Sequence, residues 1–133
     1  MAVTAGTPAD VITAFATAMH EGRVHDALAL YEPEAVFIAQ PGGPRLTGHK
    51  AIRDALTGFA ALRPTMSTNI LKVVHAANVA TVLSTWQLDG TAADGTHVRM
   101  GATSADVMRR RPDGTWGILI DDPWGADEYD AAG

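Results

Sequence analysis

The chain has 133 residues, of which 47% are hydrophobic and 19% are charged, and it contains no cysteine. This length is typical of one domain, and the absence of cysteine excludes disulfides, thiolate metal sites, iron–sulfur clusters and cysteine nucleophiles. The formal net charge is −5, but residues 1–120 carry equal numbers of acidic and basic side chains. Without a basic stripe, and with only 6% aromatic residues, a nucleic-acid-binding role lacks its electrostatic basis.

The sequence shows no sign of a membrane or secretory segment. Apolar runs such as residues 28–31 and 118–120 are far shorter than the ~20 residues of a membrane span. The first ten residues lack the basic start and apolar stretch of a signal peptide. We therefore expect one cytoplasmic domain over residues 1–133, with its core in residues 8–125 and an acidic, flexible tail at 126–133.

The first half of the chain predicts three helices and one strand. Thr7-Pro8 begins the first helix, because a threonine side chain caps the free backbone N–H groups and proline suits the first turn. Apolar residues then recur at helical spacing. The predicted elements are this helix ending at 21–22, a second helix with Tyr31 in its apolar stripe and Pro33 at its end, a strand at 35–40, a turn at 41–44 and a third helix from 47–48 to 63–64.

The second half changes to a period of two, which indicates strands. Segments rich in Val, Thr and Ile alternate with turn residues. The predicted strands are 68–75, 79–88, 96–110 and 116–121, joined by hairpin turns at 76–78, 89–95 and 112–114. Three helices followed by an antiparallel meander predict an α+β fold rather than a doubly wound sheet.

Three segments resemble functional motifs without satisfying their requirements. His20 and His25 lie five residues apart, which separates them by roughly 140° around a helix, so they cannot share a metal ion. Residues 43–50 have the glycine spacing of a phosphate-binding loop but lack its Lys-Ser/Thr ending. The basic cluster 109–111 precedes a Pro-Asp-Gly turn and is interpreted as a solvated hairpin end. We therefore expect no metal and no cofactor.

Two segments resemble a known family. Residues 35–52, which include Thr47-Gly48-His49-Lys50-Ala51-Ile52, resemble the G-x-x-A-I region of SnoaL-like and ketosteroid-isomerase-like proteins of the nuclear-transport-factor-2-like superfamily. Residues 105–125 resemble the closing hairpin of small SnoaL-like proteins. The resemblance implies a cone-shaped, curved, mixed or antiparallel sheet with three N-terminal helices that enclose an apolar pocket.

The resemblance also assigns roles to positions in this chain. Ketosteroid isomerases use a carboxylate base together with a tyrosine and a protonated aspartic acid that form an oxyanion hole. Their Asp-x-x-Arg strand falls on residues 106–109, so Asp106 matches the acid of the oxyanion hole. Their tyrosine falls on Phe15, and their base falls on Ala39 or Gln40, none of which can supply the same group. The resemblance therefore argues against steroid isomerisation itself.

Asp106 also has a physical signal of its own. It lies in mid-strand in a run without other charges, and period two places it on one face with Met100, Ser104 and Met108. If this face lines the pocket, burial raises the pKa of the carboxyl and makes it an acid or base near neutrality. If it faces solvent, Asp106 pairs with an arginine of a neighbouring strand. Asp121 either forms an acid/base pair with Asp106 or caps the end of the last strand.

We hypothesise a small cofactor-free isomerase, cyclase or hydratase that acts on a small apolar carbonyl-type metabolite, with Asp106 and Asp121 as catalytic residues. The alternative is a non-catalytic small-molecule binding or dimerising protein. We expect a homodimer, for which the outer sheet face offers mixed small and polar residues, and no nucleic-acid or membrane partner. Trp86 is either a pocket wall or part of the core. The predicted ligand-binding residues are Phe15, Tyr31, Gln40, Phe59, Trp86, Met100, Ser104 and Trp124.

Overall fold

The computed structural model describes residues 5–125, which form helices on one face of a six-stranded sheet. The helices are α1 (Pro8–His20), α2 (Val24–Ala29) and α3 (His49–Ala60). The strands are β1 (Tyr31–Phe37), β2 (Leu46–Thr47), β3 (Thr65–Ala76), β4 (Val79–Thr91), β5 (His97–Arg110) and β6 (Trp116–Asp121). The predicted α+β class is confirmed. None of the helices in residues 5–125 is long and apolar enough to cross a membrane.

The sheet is mixed and open, with the strand order β2-β1-β6-β5-β4-β3. Strands β3 to β6 pair antiparallel as the predicted meander, whereas β1 pairs in parallel with β6. The register shifts between Ile70 and Lys72 on β3 and between Val107 and Met108 on β5. Such irregularities bend strands, and the bent strands curve the sheet around the helices.

The N-terminus of α1 forms as predicted. The Thr7 hydroxyl oxygen accepts a hydrogen bond of 3.1 Å from the backbone N–H of Asp10, and Pro8 occupies the first turn. The buried face of α1 includes Val11, Ile12 and Met19. This face packs on the sheet and forms one wall of the interior.

The prediction for Tyr31 and Pro33 is wrong. Helix α2 ends at Ala29, and Tyr31 begins a strand that spans residues 31–37 rather than 35–40. Pro33 does not stop a helix but lies exposed within β1, where the register with β6 shifts between Tyr31 and Val36. A proline lacks a backbone N–H, and this irregular stretch requires no ladder bond from it.

The interpretation of residues 109–111 as a solvated hairpin end is also wrong for two of the three arginines. Arg109 Nε and Arg111 Nε donate hydrogen bonds of 2.9 and 2.8 Å to the two carboxylate oxygens of the buried Glu32 on β1. Gly117 on the intervening β6 leaves the space for this bridge, because a Cβ there would lie 2.7 Å from Arg111 Nη2 and 2.8 Å from Glu32 Oε2. Arg109 in β5 and Arg111 directly after it therefore connect this end of β5 to β1 across β6.

The core lies between the helices and the inner face of the sheet. Along β4, Val82, Ser84 and Trp86 are buried, and β5 buries Ser104 and Asp106 on the same side. The register places Asp106 opposite Val82 and Ser104 opposite Ser84. On β4, the residues nearest to Asp106 and Ser104 on this face are therefore an apolar side chain and a hydroxyl group.

Candidate active site

Two carboxyl groups from adjacent strands line one cavity. Asp106 on β5 is 4% exposed, and Asp121 at the end of β6 is 8% exposed. Both line a cavity of about 70 Å³ beneath the helices. We call these two groups the carboxyl pair. Strands β5 and β6 are neighbours, so the register of the sheet brings together side chains that are fifteen positions apart.

Each member of the carboxyl pair has its own hydrogen-bond donors. The Ser104 hydroxyl donates to Asp106 Oδ2 at 2.6 Å, and the backbone N–H of Asp122 donates to Asp106 Oδ1 at 2.9 Å. The Tyr31 hydroxyl donates to Asp121 Oδ2 at 2.5 Å. The two carboxyl groups also share a hydrogen bond with each other.

The pKa values of both acids are raised. Burial raises the pKa of Asp106 from its ordinary 3.8 to about 6, although the hydrogen bonds from Ser104 and Asp122 oppose the shift. The pKa of Asp121 is raised well above its ordinary value. Burial is the largest cause, and the charge of Asp106 is the second. Both carboxyl groups therefore retain a proton to higher pH than a carboxyl group in water does, and they titrate as a coupled pair.

The Tyr31 hydroxyl binds Asp121 from outside the cavity. The Tyr31 side chain is buried, and its ring packs against the rings of Phe15 and Phe37 at centroid distances of 6.0 and 6.1 Å. Burial, together with the charge of Asp121, raises the pKa of the Tyr31 hydroxyl well above 10, so the hydroxyl remains a donor. The Tyr31 carbonyl oxygen lies 2.8 Å from His49 Nε2, which fixes the backbone as well.

The cavity walls are largely apolar and aromatic. Trp86 and Trp124 meet edge to face with a centroid distance of 5.0 Å, and Trp86 Nε1 donates a 2.7 Å hydrogen bond to the Pro123 carbonyl oxygen. The indole nitrogen of Trp124 is buried and has no acceptor among residues 5–125. No lysine, arginine or histidine is among the described residues that line the cavity.

Most of the residues that the sequence analysis selects lie at this cavity, and two do not. The cavity is lined by Phe15, Phe59, Trp86, Met100, Ser104 and Trp124 together with the carboxyl pair. Tyr31 does not line the cavity, but its hydroxyl contacts Asp121 from outside the cavity. Gln40 is exposed and lies in a separate groove beside α3, because β1 ends at Phe37 and Gln40 belongs to the following loop.

Sequence reasoning missed three polar contacts of the site. Thr68 and Ser84 line the cavity, and the backbone N–H of Asp122 binds Asp106. Ser84 stands in the same period-two row as Trp86, which is a signal that the sequence contains. The Asp122 contact depends on the turn after β6, and no residue pattern signals it. Among the described residues, no group of three or more His, Asp or Glu side chains is arranged to hold a metal ion.

Comparisons with known proteins identify the architecture. The family model of the SnoaL-like domain (SnoaL_2) matches residues 12–116. A search of curated proteins finds no match. Among solved structures, a ketosteroid isomerase-like protein from Erwinia carotovora atroseptica SCRI1043 is 22% identical, with a TM-score of 0.72 over 84% of this chain and 87% of that chain.

Two further solved structures have the same fold. A nuclear transport factor 2-like superfamily protein from Salmonella enterica serovar Typhimurium is 17% identical, with a TM-score of 0.74 over 85% of this chain and 84% of that chain. An NTF2-like protein with a cystatin-like fold from Novosphingobium aromaticivorans is 15% identical, with a TM-score of 0.70 over 84% and 75%. These likenesses establish the cone-shaped arrangement of an open curved sheet covered by helices, as the sequence resemblance implies.

Proposed function

Because the chain belongs to the SnoaL-like domain family, whose model spans residues 12–116, we propose that it is a cofactor-free acid/base enzyme of small apolar carbonyl compounds. The fold alone does not select this chemistry, since one fold carries many functions. The observation that carries the proposal is the carboxyl pair buried at the wall of an apolar cavity.

The cavity wall favours a neutral, compact substrate. Aromatic and aliphatic side chains such as Phe15, Phe59 and Met100 offer no partner for a charged group. An anionic substrate would also meet the charge of the carboxyl pair in a region of low dielectric constant. A volume of about 70 Å³ favours a small molecule.

The proposed chemistry is proton transfer at the carbon atom next to a carbonyl group. The Asp106 carboxylate takes a proton from this carbon: the C–H bond breaks, an O–H bond forms on Asp106, and the electron pair moves to the carbonyl oxygen. Asp106 then returns the proton to the same carbon or to a conjugated one, so an isomerisation needs no oxidant or reductant. A base with a pKa of about 6 suits this task near neutral pH.

A non-catalytic binding protein is the second candidate. The position that matches the tyrosine of ketosteroid isomerases carries Phe15, and the position that matches their base carries Ala39 or Gln40. Phe15 and Ala39 line the cavity without a hydroxyl or carboxyl group, and Gln40 does not line it. A cavity with these walls could hold the same class of ligand while the carboxyl pair only orients it.

The test measures proton exchange on a simple ketone. Cyclohexanone is incubated with the protein in D₂O, and ¹H NMR follows the loss of the hydrogens next to its carbonyl. We expect exchange above the buffer rate in the wild type and a loss of roughly 100-fold or more in Asp106→Asn, because general base catalysis contributes about that factor. Asp54→Asn is the matched control, since the Asp54 side chain is 66% exposed on α3, and it should exchange at the wild-type rate.

The Asp106 carboxyl is titrated in parallel by ¹³C NMR without ligand. An apparent pKa near 6 together with Asp106-dependent exchange supports the enzyme. A pKa near 3.8 together with equal exchange in wild type and Asp106→Asn overturns it. Binding of cyclohexanone without exchange supports the binding protein instead.

A further inference from the structure

The indole N–H of Trp124 is a buried donor on a ring that lines a cavity with few polar atoms. Trp124 lines the cavity, and its Nε1 finds no acceptor among residues 5–125. The neighbouring Trp86 is different, because its Nε1 donates to the Pro123 carbonyl oxygen at 2.7 Å. Buried indole N–H groups normally have a partner, since a buried donor that loses its water without gaining an acceptor is unfavourable.

Trp124 is held in place by the same strand that carries Asp106. The backbone N–H of Ala105 donates to the Asp122 carbonyl oxygen at 2.9 Å, and the Asp122 N–H donates to Asp106 Oδ1 at 2.9 Å. The turn then closes through a 3.1 Å hydrogen bond from the Gly125 N–H to the Asp122 carbonyl oxygen. A Cβ at Gly125 would lie 2.8 Å from the Ala105 Cβ, so the turn packs tightly on β5. Backbone hydrogen bonds therefore join the turn that carries the Trp124 ring to the strand segment that carries Asp106.

We propose that Trp124 Nε1–H holds the oxygen atom of the bound ligand. An indole N–H is a donor only, so its partner is an acceptor atom. The partner is uncharged, because the cavity wall has no described cation and already contains the carboxyl pair. The ligand class is thus a neutral compound with an apolar body and an acceptor oxygen, such as a ketone. This assignment rests on the proposed function and adds to it the group that receives the carbonyl oxygen while Asp106 acts on the adjacent carbon.

The test compares two probes of the same shape. Cyclohexanone and methylenecyclohexane differ in one position, which is C=O in the first and C=CH₂ in the second, so only the ketone accepts a hydrogen bond. Their dissociation constants are measured for the wild type, Trp124→Phe and Trp116→Phe. Trp116 is the matched control, because it is buried at the start of β6 outside the cavity lining. In Trp124→Phe the ratio of the two dissociation constants should shift against the ketone by about tenfold, the scale of one hydrogen bond, whereas Trp116→Phe should keep the wild-type ratio.

The indole signals give a second readout that does not depend on affinity. The chain has three tryptophans, so ¹H–¹⁵N spectra contain three indole N–H signals, and Trp124→Phe identifies one of them. Cyclohexanone should move this signal downfield, whereas methylenecyclohexane should not. Deuterium exchange on cyclohexanone is recorded for the same samples.

Three outcomes would overturn the proposal. The first is an equal ketone preference in the wild type and Trp124→Phe, and the second is a Trp124 signal that cyclohexanone leaves unchanged. Either result removes Trp124 as the oxygen-binding group, and Asp106-dependent exchange would still support the enzyme. The third is failure of both probes to bind, which removes this ligand class, while the pKa of Asp106 without ligand continues to test the acid/base proposal separately.

Discussion

Asp106 and Glu32 are both buried carboxyl groups on neighbouring parts of the sheet, and their pKa values move in opposite directions. Burial by itself acts to raise the pKa of both carboxyl groups. For Glu32, hydrogen bonds from Arg111 and Arg109 outweigh burial, and its pKa falls below the ordinary value. Among the described residues, Asp106 forms hydrogen bonds with the Ser104 hydroxyl, the Asp122 N–H and the Asp121 carboxyl, and none of these groups is a cation, so its pKa stays raised. One carboxylate is therefore an ion-pair anchor, and the other remains able to exchange a proton near neutrality.

The raised pKa of Asp106 predicts a pH-dependent contribution to stability that Asp106→Asn removes. The folded state binds this proton more tightly than the unfolded chain, so the stabilisation is complete below pH 3.8 and is lost as the pH rises through about 6. The shift corresponds to about 3 kcal/mol. Urea unfolding at pH 4.5 and at pH 7.5 should show that the wild type loses stability relative to Asp106→Asn as the pH rises.

The same measurement on Asp54→Asn is the control, because an exposed carboxylate should leave the wild-type slope unchanged. An equal pH dependence in the wild type and Asp106→Asn would show that Asp106 titrates normally in the folded protein.

The sequence was sufficient to place Asp106 on one face of β5, but it left open whether that face lines the cavity, and it did not predict the hydrogen-bond partners of the carboxyl group. Period two along β5 places Asp106 with Met100 and Ser104, and a strand keeps this alternation whatever its neighbours are. The bond from Tyr31 to Asp121 joins residues that are 90 positions apart. Its existence depends on the parallel pairing of β1 with β6, and no local pattern encodes that pairing.

Strand β1 is held to the sheet by side chains as well as by its ladder. Glu32 binds Arg109 and Arg111, and Arg111 Nη2 also donates to the Ala29 carbonyl oxygen at 2.8 Å. Glu34, on the same strand, pairs with Arg109 from the exposed side. These contacts set the position of β1, which in turn presents the Tyr31 hydroxyl to Asp121.

Glu32→Gln and Glu34→Gln form a matched pair of variants on this strand. Removing the charge of Glu32 leaves two arginines without their buried partner, and we expect a loss of about 2 kcal/mol in the free energy of unfolding. Glu34 has a side chain that is 60% exposed, so its loss should be below about 0.5 kcal/mol. Urea denaturation of both variants measures the difference, and equal losses would contradict the assignment of Glu32 as the anchor.

The element boundaries show where sequence rules stop applying. Proline usually ends helices, which is why Pro33 pointed to a helix end, but an exposed proline in an irregular strand satisfies the same constraint on its missing N–H. The role of the arginines likewise depended on Gly117 leaving space on β6, a fact that only the register of the sheet reveals.

The outer face of the sheet carries a row of four aligned side chains, three of them apolar, across four strands. The register aligns Val74, Thr81, Val107 and Ile120. Val74 is 48% exposed and Ile120 is 39% exposed. We propose that this row forms the contact of the homodimer, since a two-fold contact uses the same patch twice.

Sedimentation equilibrium tests the homodimer directly. The wild type should have twice the chain mass of 14.0 kDa. The double variant Val74→Lys/Ile120→Lys should sediment as a monomer, because it places like charges at the centre of the contact. Thr57→Lys, on the exposed side of α3, should remain a dimer. A monomeric wild type, or a dimeric double variant, would reject this face.

The parallel pairing of β1 with β6 also sets the order in which the molecule can be completed. Strands β3, β4 and β5 are joined in sequence by short hairpins, whereas β1 pairs with β6, a strand that is synthesised much later, at residues 116–121. Contacts between distant positions form late because they close long loops. Tyr31 therefore cannot contact Asp121 until almost all of the described chain has been synthesised. A nascent chain whose helices have already formed therefore still lacks the hydrogen bond from Tyr31 to Asp121.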